Sequence, residues 1–192
     1  MTEAARHLVL LAAVLVLSAC AGPRPPREDA TGRPCVSYRH NHRSERLCAA
    51  QPALTPAQAE AARAAPLPAG QAEVWVHWLR RGEATHPLRL QLDGQPLAEL
   101  LPAGVVRLRL APGPHRLAVQ WPGAQAGLEL VLAAGESRVL EVDSVSDAWR
   151  PGFGWRARDA EGAARRAAAA RLVADLQAPS PGGPPPCTAS GC

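Results

Sequence analysis

The chain has 192 residues and carries 21 Arg, no Lys and 17 acidic residues, so its formal net charge is +4. Its 20 Pro and 16 Gly occur in clusters, which is typical of tails and linkers. This composition excludes a large enzyme, a multi-span membrane protein and a coiled coil, and it leaves room for one small domain.

The first twenty residues have the layout of an export signal. Arg6 is followed by an unbroken apolar run over residues 8–17, and small residues precede Cys20. A helix of that length spans about 15 Å, half of the hydrocarbon thickness of a membrane, so the run is too short to cross one. The sequence therefore predicts a signal peptide over residues 1–19.

The segment Leu17-Ser18-Ala19-Cys20 resembles the lipobox of bacterial lipoproteins. That resemblance implies cleavage before Cys20 and attachment of acyl chains such as palmitate, which together hold a protein firmly on a membrane. Ala21 follows the cysteine, and in that family a residue other than Asp there implies sorting to the outer membrane. We therefore expect a lipid-anchored protein on the periplasmic face of the outer membrane.

Two segments separate this anchor from the strands. Residues 20–34 are rich in Pro and Arg and are expected to form a disordered tether. Residues 35–71 are expected to form a cysteine-bounded loop and then a short helix. Thr55 suits the N-cap of that helix, Pro56 its first turn and Gln58 a capping box.

Apolar and polar residues alternate with a period of two over residues 72–145, which predicts strands. About seven short strands fit this length, and they indicate a mainly β fold, an antiparallel β-sandwich with each sheet covered on one side. Residues 146–177 are expected to form an aromatic loop and then a C-terminal helix over about 160–177. Residues 178–192 are rich in Pro and Gly and are expected to be a disordered tail.

Three turns among these strands resemble those of PEGA-like β-sandwich domains found in bacterial lipoproteins. They are Asp93-Gly94, Pro112-Gly113-Pro114-His115 and Ala134-Gly135-Glu136. The resemblance covers roughly residues 72–177. It implies a small sandwich in the cell envelope and transfers no catalytic residue. His115 is in phase with the apolar residues of its strand, so we expect it to be partly buried and hydrogen-bonded.

Four residues near the N-terminus have the chemistry of a metal site: Cys35, His40, His42 and Cys48. Two thiolates and two imidazoles suit zinc or copper, so a metal-binding or redox module is one hypothesis. The spacing lacks a pre-aligned ligand pair, however, and the compartment is expected to be oxidising. A Cys35–Cys48 disulfide is therefore the favoured interpretation.

A second disulfide is predicted between Cys187 and Cys192. The sequence alone leaves the three possible pairings of the four cysteines open.

Charged residues on the strands suggest a contact surface. Matching apolar residues across neighbouring strands places Arg109 opposite Arg116 and Glu129 opposite Glu141, and opposed like charges are unfavourable. The favoured interpretation is that the two pairs neutralise each other within one sheet. The alternative is a basic face for anionic lipid headgroups or glycan phosphates.

Three aromatic residues follow the strands: Trp149, Phe153 and Trp155. Pro151 and two glycines argue against a strand or helix here, so a loop is expected to carry these rings. Either the rings fold back onto the sandwich, or they form an exposed contact site for a partner. We expect the contact site.

These observations predict a non-catalytic binding or structural module, with no cofactor and no enzymatic activity. The expected partners are the membrane, through the lipid, and an envelope protein, a glycan or an anionic lipid. Nucleic acid is not an expected partner of an exported protein.

The anchor leads to a first prediction. Replacing Cys20 by Ser removes the acylated thiol, so the Cys20→Ser protein should be released from membranes or remain uncut. Fractionation and intact-mass analysis measure both outcomes. A wild-type chain that is unlipidated, or that begins elsewhere than Cys20, would contradict the prediction.

Overall fold

The computed structural model describes residues 27–40, 43–79, 86–147, 150–156 and 160–178. The predicted signal peptide, Cys20, His42, Trp149 and the Cys187–Cys192 pair lie outside the described residues. Within them, no helix has the length and apolar character needed to cross a membrane.

Twelve strands and two helices make up the described chain. The strands are β1 (Arg27–Glu28), β2 (Pro34–His40), β3 (Arg43–Cys48), β4 (Ala72–Trp78), β5 (Leu88–Leu92), β6 (Gln95–Leu100), β7 (Gly104–Leu110), β8 (Gly113–Trp121), β9 (Ala124–Leu132), β10 (Ser137–Asp147), β11 (Arg150–Arg156) and β12 (Arg171–Gln177). The helices are α1 (Pro56–Ala64) and α2 (Ala160–Ala169).

Two sheets form the sandwich. One has five strands in the order β11-β10-β4-β7-β12, and the other has four strands in the order β6-β5-β8-β9. The predicted mainly β sandwich is confirmed. It contains more strands than the seven expected, and β10–β4 and β7–β12 are parallel pairs.

The core lies between the sheets because each strand turns alternate apolar residues inward. Members from both sheets are fully buried in one cluster, among them Val74, Val76, Trp78, Leu88, Leu90, Leu108 and Leu117. The Asp93-Gly94 turn between β5 and β6 has positive φ at both residues (50° and 80°), which is the geometry that a tight hairpin requires.

Both helices lie on the outer face of the five-stranded sheet. A small second core there contains Val105, Ala167 and Leu172, with Trp75 packed against it. The expectation that each sheet is covered on one side only is therefore wrong for this sheet, whose β7 is buried on both faces. Helix α1 begins as predicted, with the complete capping box between Thr55 and Gln58.

The predicted C-terminal helix is shorter than expected. Helix α2 ends at Ala169, and residues 171–177 form β12 beside β7 instead of continuing the helix. The neighbouring apolar residues Leu172 and Val173 explain why this segment is a strand and not a helix. Leu172 packs in the outer core, while Val173 packs in the inner core across a bulge in the strand. A helix cannot send neighbouring residues to both faces of a sheet.

Arg107 on β7 connects the outer face to α1. Its guanidinium donates to Glu73 on β4 and to the carbonyl oxygens of Ala62 and Ala65 at the C-terminal end of the helix. The last carbonyls of a helix have no partner within it and favour a cation. One buried side chain, 2% exposed, thus joins two strands to the helix.

A second arginine caps a helix end on the same face of the sheet. Arg63 on α1 donates to the carbonyl oxygens of Ala167 and Ala170 at the end of α2, at 3.3 and 2.7 Å. Arg63 and Arg107 also lie over the Trp75 ring, 5.5 and 5.1 Å from its centroid. The two helices are therefore held by arginines that cap their C-terminal ends.

The N-terminal segment is more ordered than predicted. Strands β2 and β3 pair antiparallel where a loop was expected, and Cys35 and Cys48 are joined by a disulfide, as expected. The tether prediction is wrong for residues 27–34, where β1 pairs with β2. Asp29 closes the intervening turn by accepting from Thr31 and Arg33. Leu47 and Ala49 then join the hairpin to the core.

Removing the Arg107 side chain should be strongly destabilising. Arg107→Ala leaves the Glu73 carboxylate and two helix-end carbonyls without their buried cation, and breaking a buried pair in this way costs about 3–5 kcal/mol. Urea unfolding measures the loss. Arg89→Ala is the matched control, because that side chain is 68% exposed and lies 3.8 Å from Glu99, so its loss should cost less than about 1 kcal/mol. Equal effects of the two variants would contradict this account.

Opening the disulfide should loosen the hairpin and leave the sandwich folded. The bond closes a chain segment with a sequence separation of 13, for which the chain-entropy model gives about 3 kcal/mol. Cys35→Ser with Cys48→Ser should raise amide exchange over residues 34–48 and keep protection in β4 and β7. Loss of protection in those central strands would show that the sandwich requires the bond.

Candidate functional site

The outer face of the four-stranded sheet differs from that of the five-stranded sheet. Within the described residues neither helix lies on it, and its outward side chains are exposed or half-buried except that of Ala118, which is buried. Besides the exposed Val131, the larger ones are amides and charged groups, namely Arg89, Gln91, Arg116, Gln120, Gln125 and Glu129. This face is therefore the polar surface that the fold presents to solvent.

Small residues make the middle of this face shallow. Ala118 on β8 lies directly opposite Gly127 on β9. The Arg116 side chain lies over Gly127, because a Cβ built on that glycine would come 3.5 Å from its guanidinium nitrogens. Ala118 and Gly127 therefore form a shallow area, which we call the floor, with longer polar side chains such as that of Arg116 beside it.

Arg89 on β5 lies at the centre of a groove beside that floor. It stands between Glu99 on β6 and Gln120 on β8 in the strand register. Two neighbouring depressions of about 470 and 210 Å³ share Arg89 and Gln120 as lining residues. We call this combined depression, lined by Arg89, Gln91, Gln120, Glu99 and Trp121 among others, the β5–β8 groove.

Hydrogen bonds hold the side chains of the β5–β8 groove in place. The Gln91 amide nitrogen donates to the Gln120 amide oxygen at 3.1 Å. Glu99 accepts from the Ala50 backbone nitrogen at 2.6 Å, and its carbonyl oxygen accepts from Gln51 at 2.8 Å. A ligand would therefore meet amide groups whose orientation is already set.

Trp121 closes one end of the groove, beside Pro87 and Pro122. Its ring packs edge-on against Phe153 at a centroid distance of 5.1 Å, which fixes its orientation. The groove thus has apolar residues at one end beside its polar side chains, which is the composition of many small-ligand sites.

The arginines proposed from sequence do not form a pair. Strands β7 and β8 belong to different sheets, so Arg109 is not opposite Arg116, and the predicted register is wrong. Arg109 is nearly buried and donates to Asp175 on β12 at 2.6 Å. Arg116 is exposed and lies opposite Glu129, at 3.5 Å. Chain connectivity explains the error, because residues 111–112 cross from one sheet to the other instead of forming a hairpin within one.

The predicted Glu129–Glu141 opposition is wrong for the same reason. Glu141 lies on β10, between His77 on β4 and Arg156 on β11. Glu129 is on the other sheet. The structure thus separates the like charges of both predicted pairs and gives each of the four residues a partner of opposite charge.

The predicted aromatic loop is a strand. Phe153 and Trp155 lie on β11 and point into the core, where Phe153 contacts Trp78 edge-on at a centroid distance of 5.3 Å. The Trp155 indole nitrogen donates to the Ala126 carbonyl oxygen on β9 at 3.1 Å. These contacts favour the alternative in which the rings fold back onto the sandwich, and they join the two sheets at one edge.

Cys35 and Cys48 form a disulfide, so they do not supply the two thiolates that the proposed metal site requires. Among the described residues, one group of three potential ligand atoms lies within 4.8 Å of one another, and it consists of Asp29, Cys35 and Cys48. A disulfide sulfur is not the thiolate that binds metal. Asp29 is engaged as well, since hydrogen bonds from Thr31 and Arg33 hold the pKa of its carboxyl well below the usual range.

The turns that carry the sequence resemblance have structural roles. One nitrogen of His115 lies 2.9 Å from an Asp93 oxygen, and the other lies 2.8 Å from the Ala111 carbonyl oxygen. As expected, His115 is buried and hydrogen-bonded. Glu136 accepts from the Ala133 backbone nitrogen and so closes the last turn. These motifs hold turns together and contribute nothing to the groove.

A buried charge cluster lies beneath α2. Arg166 donates to both oxygens of Glu141 at 2.6 and 2.7 Å, and His77 lies 3.4 Å from the same carboxylate. Burial lowers the pKa of His77 by more than Glu141 raises it. Burial also raises the pKa of Glu141, but the hydrogen bonds and charge of Arg166 outweigh it, so the net shift is downward. Because α2 covers this cluster, we interpret it as structural.

Sequence reasoning did not identify the groove residues. Arg89, Gln91 and Gln120 were visible only as the polar members of alternating strands. Strands of both sheets carry outward-facing polar residues, and on the five-stranded sheet the helices cover many of them. The groove is distinguished by the absence of a covering helix among the described residues, and the alternation of apolar and polar residues does not predict where the helices lie.

No family model matches the chain, and no curated protein matches it. Among solved structures, the chain is similar to a candidate cell adhesion protein from Bacteroides fragilis, with 16% sequence identity and a TM-score of 0.27. The similarity covers 47% of this chain and 45% of that chain. A similarity this limited carries no argument about function, so the site rests on its own geometry.

The charge cluster predicts acid sensitivity. The lowered pKa of His77 means that the unfolded chain takes up its proton first, so stability should fall as the pH drops below about 6.5. In His77→Gln, the fall should begin only at more acidic pH, where the unfolded chain takes up protons that Glu141, whose pKa is lowered by Arg166, does not yet bind in the folded protein. Urea midpoints across pH measure this difference. A His77→Gln protein that retains the upper step would contradict the assignment.

Proposed function

We propose that this protein is a lipid-anchored, non-catalytic binding module on the periplasmic face of the outer membrane, and that it binds through the β5–β8 groove. The observation that carries the proposal is the asymmetry of the sandwich. One outer face is sealed by two helices and paired charges, whereas the other presents a pre-organised polar groove.

Two observations support the cellular location. The sequence around Cys20 has the layout of a lipoprotein signal. The Cys35–Cys48 bond is a disulfide between residues close to the proposed anchor, and such bonds persist mainly in oxidising compartments. Both observations fit an exported protein better than a cytosolic one.

The groove supports binding rather than catalysis. Its ionisable side chains are those of Arg89, Glu99 and His86, and Glu99 is already tied to the Ala50 backbone and lies near Arg89. His77 and His115 lie beside carboxylates and are buried elsewhere in the sandwich. What distinguishes the groove is its pair of oriented amides beside apolar surface.

Association with the envelope tests this proposal. The mature chain, residues 20–192 with Cys20→Ser, lacks the lipid and should be released from membranes on fractionation of cells. When this purified chain is mixed with an excess of isolated envelopes, a fraction of it should nevertheless sediment with them through the groove. Adding Arg89→Ala and Gln120→Ala should reduce the bound fraction at least about tenfold, because both residues line the groove.

The matched control is Arg165→Ala, which alters an exposed arginine on the helix-covered side. It should sediment like the parent chain. Unchanged sedimentation of the groove variant, with its fold intact by circular dichroism, would contradict the proposal. An equal loss in both variants would indicate nonspecific electrostatic attachment instead.

A further inference from the structure

We propose that the β5–β8 groove binds a neutral glycan that carries acetamido groups. This inference rests on the proposed function and names the ligand class of the same site. The hydrogen-bonding groups, the apolar surface and the charge of the groove all favour this ligand class.

The amides of Gln91 and Gln120 complement an acetamido group. Each side-chain amide has one carbonyl oxygen and two N–H donors. The bond between them uses an N–H of Gln91 and the oxygen of Gln120. That geometry leaves the Gln91 oxygen as an acceptor and the Gln120 nitrogen as a donor, at diagonal positions on the neighbouring strands β5 and β8. An acetamido group offers a complement for either one, an N–H donor for the Gln91 oxygen and a C=O acceptor for the Gln120 nitrogen.

Apolar surface lies next to those amides. Pro96, Leu97 and Ala98 line the same depression as Gln91 and Gln120, and they offer a contact for the acetamido methyl group. At the other end, Pro87, Trp121 and Pro122 line the second depression and offer further apolar surface to a sugar ring. This combination of polar and apolar contacts suits an oligosaccharide, because each sugar ring carries polar substituents and apolar C–H surface.

The charge of the groove favours a neutral ligand. Arg89 is the exposed cation, and Glu99 lies 3.8 Å from it, so the pair contributes no net charge. A phosphate or an anionic headgroup would meet the carboxylate as well as the guanidinium. Sugar hydroxyls both donate and accept, so they can bond to either member of the pair.

Calorimetric titration of the mature Cys20→Ser chain with the β-1,4-linked N-acetylglucosamine hexamer tests this inference. We expect a Kd below about 1 mM. Cellohexaose has hydroxyls in place of the acetamido groups and should bind at least about tenfold more weakly. Gln91→Ala and Gln120→Ala should each weaken binding of the acetylated hexamer by a similar factor, with an unchanged melting temperature.

Arg116→Ala is the control on the same face, because Arg116 lies over Gly127 and outside the groove. It should bind the hexamer as well as the parent chain does. Vesicles containing phosphatidylglycerol provide the competing ligand. Capture by these vesicles that depends on Arg89 or Arg116, without sugar binding, would overturn the inference in favour of an anionic lipid.

Three further results would overturn it: no binding of the acetylated hexamer, equal binding of cellohexaose, or binding unaffected by the glutamine variants. If envelope sedimentation still depends on the groove, such a result contradicts the glycan inference but not the proposed function. Conversely, sugar binding that depends on the groove, without sedimentation that depends on it, would contradict the proposed envelope role but not the assignment of the ligand class.

Discussion

The burial of Arg107 is the constraint on which much of this structure depends. A guanidinium that is 2% exposed is stable only if its donors are satisfied, and Glu73 together with two carbonyl oxygens of α1 meets that requirement. Helix α1 therefore has to lie on the five-stranded sheet at one position. Arg63 on α1 then donates a hydrogen bond to the Ala170 carbonyl oxygen at the end of α2. The positions of both helices follow from one cation on β7.

This constraint also determines which surface stays open. The outer face of the five-stranded sheet carries paired charges from five strands and from α2, so those side chains are occupied with one another. The four-stranded sheet carries no such buried network among its described residues, and its amides remain at the surface. The asymmetry between a sealed face and an open face is thus a consequence of electrostatics, and it leads to the proposal that the open groove binds a ligand.

The parts that sequence predicted well have local physical causes. The period-two alternation located β4 to β10, and the Thr55 capping box located the start of α1. The incorrect parts depended on long-range pairing. Residues 171–177 continue a helix-favouring composition, but the edge of β7 offers backbone partners that a frayed helix end lacks. Pro151 and two glycines argued against a strand, yet β11 is an edge strand, where a missing donor is tolerated. The opposed arginines failed because the chain changes sheets between β7 and β8.

Photo-crosslinking in cells tests the central claim most directly. A photoreactive residue in place of Gln125, on the open face, should form crosslinks to envelope material. The same residue in place of Glu60, on exposed α1, should form few. Crosslinks confined to the open face are the predicted result. Equal crosslinking from both faces, or crosslinking from α1 alone, would contradict the assignment of binding to the four-stranded sheet.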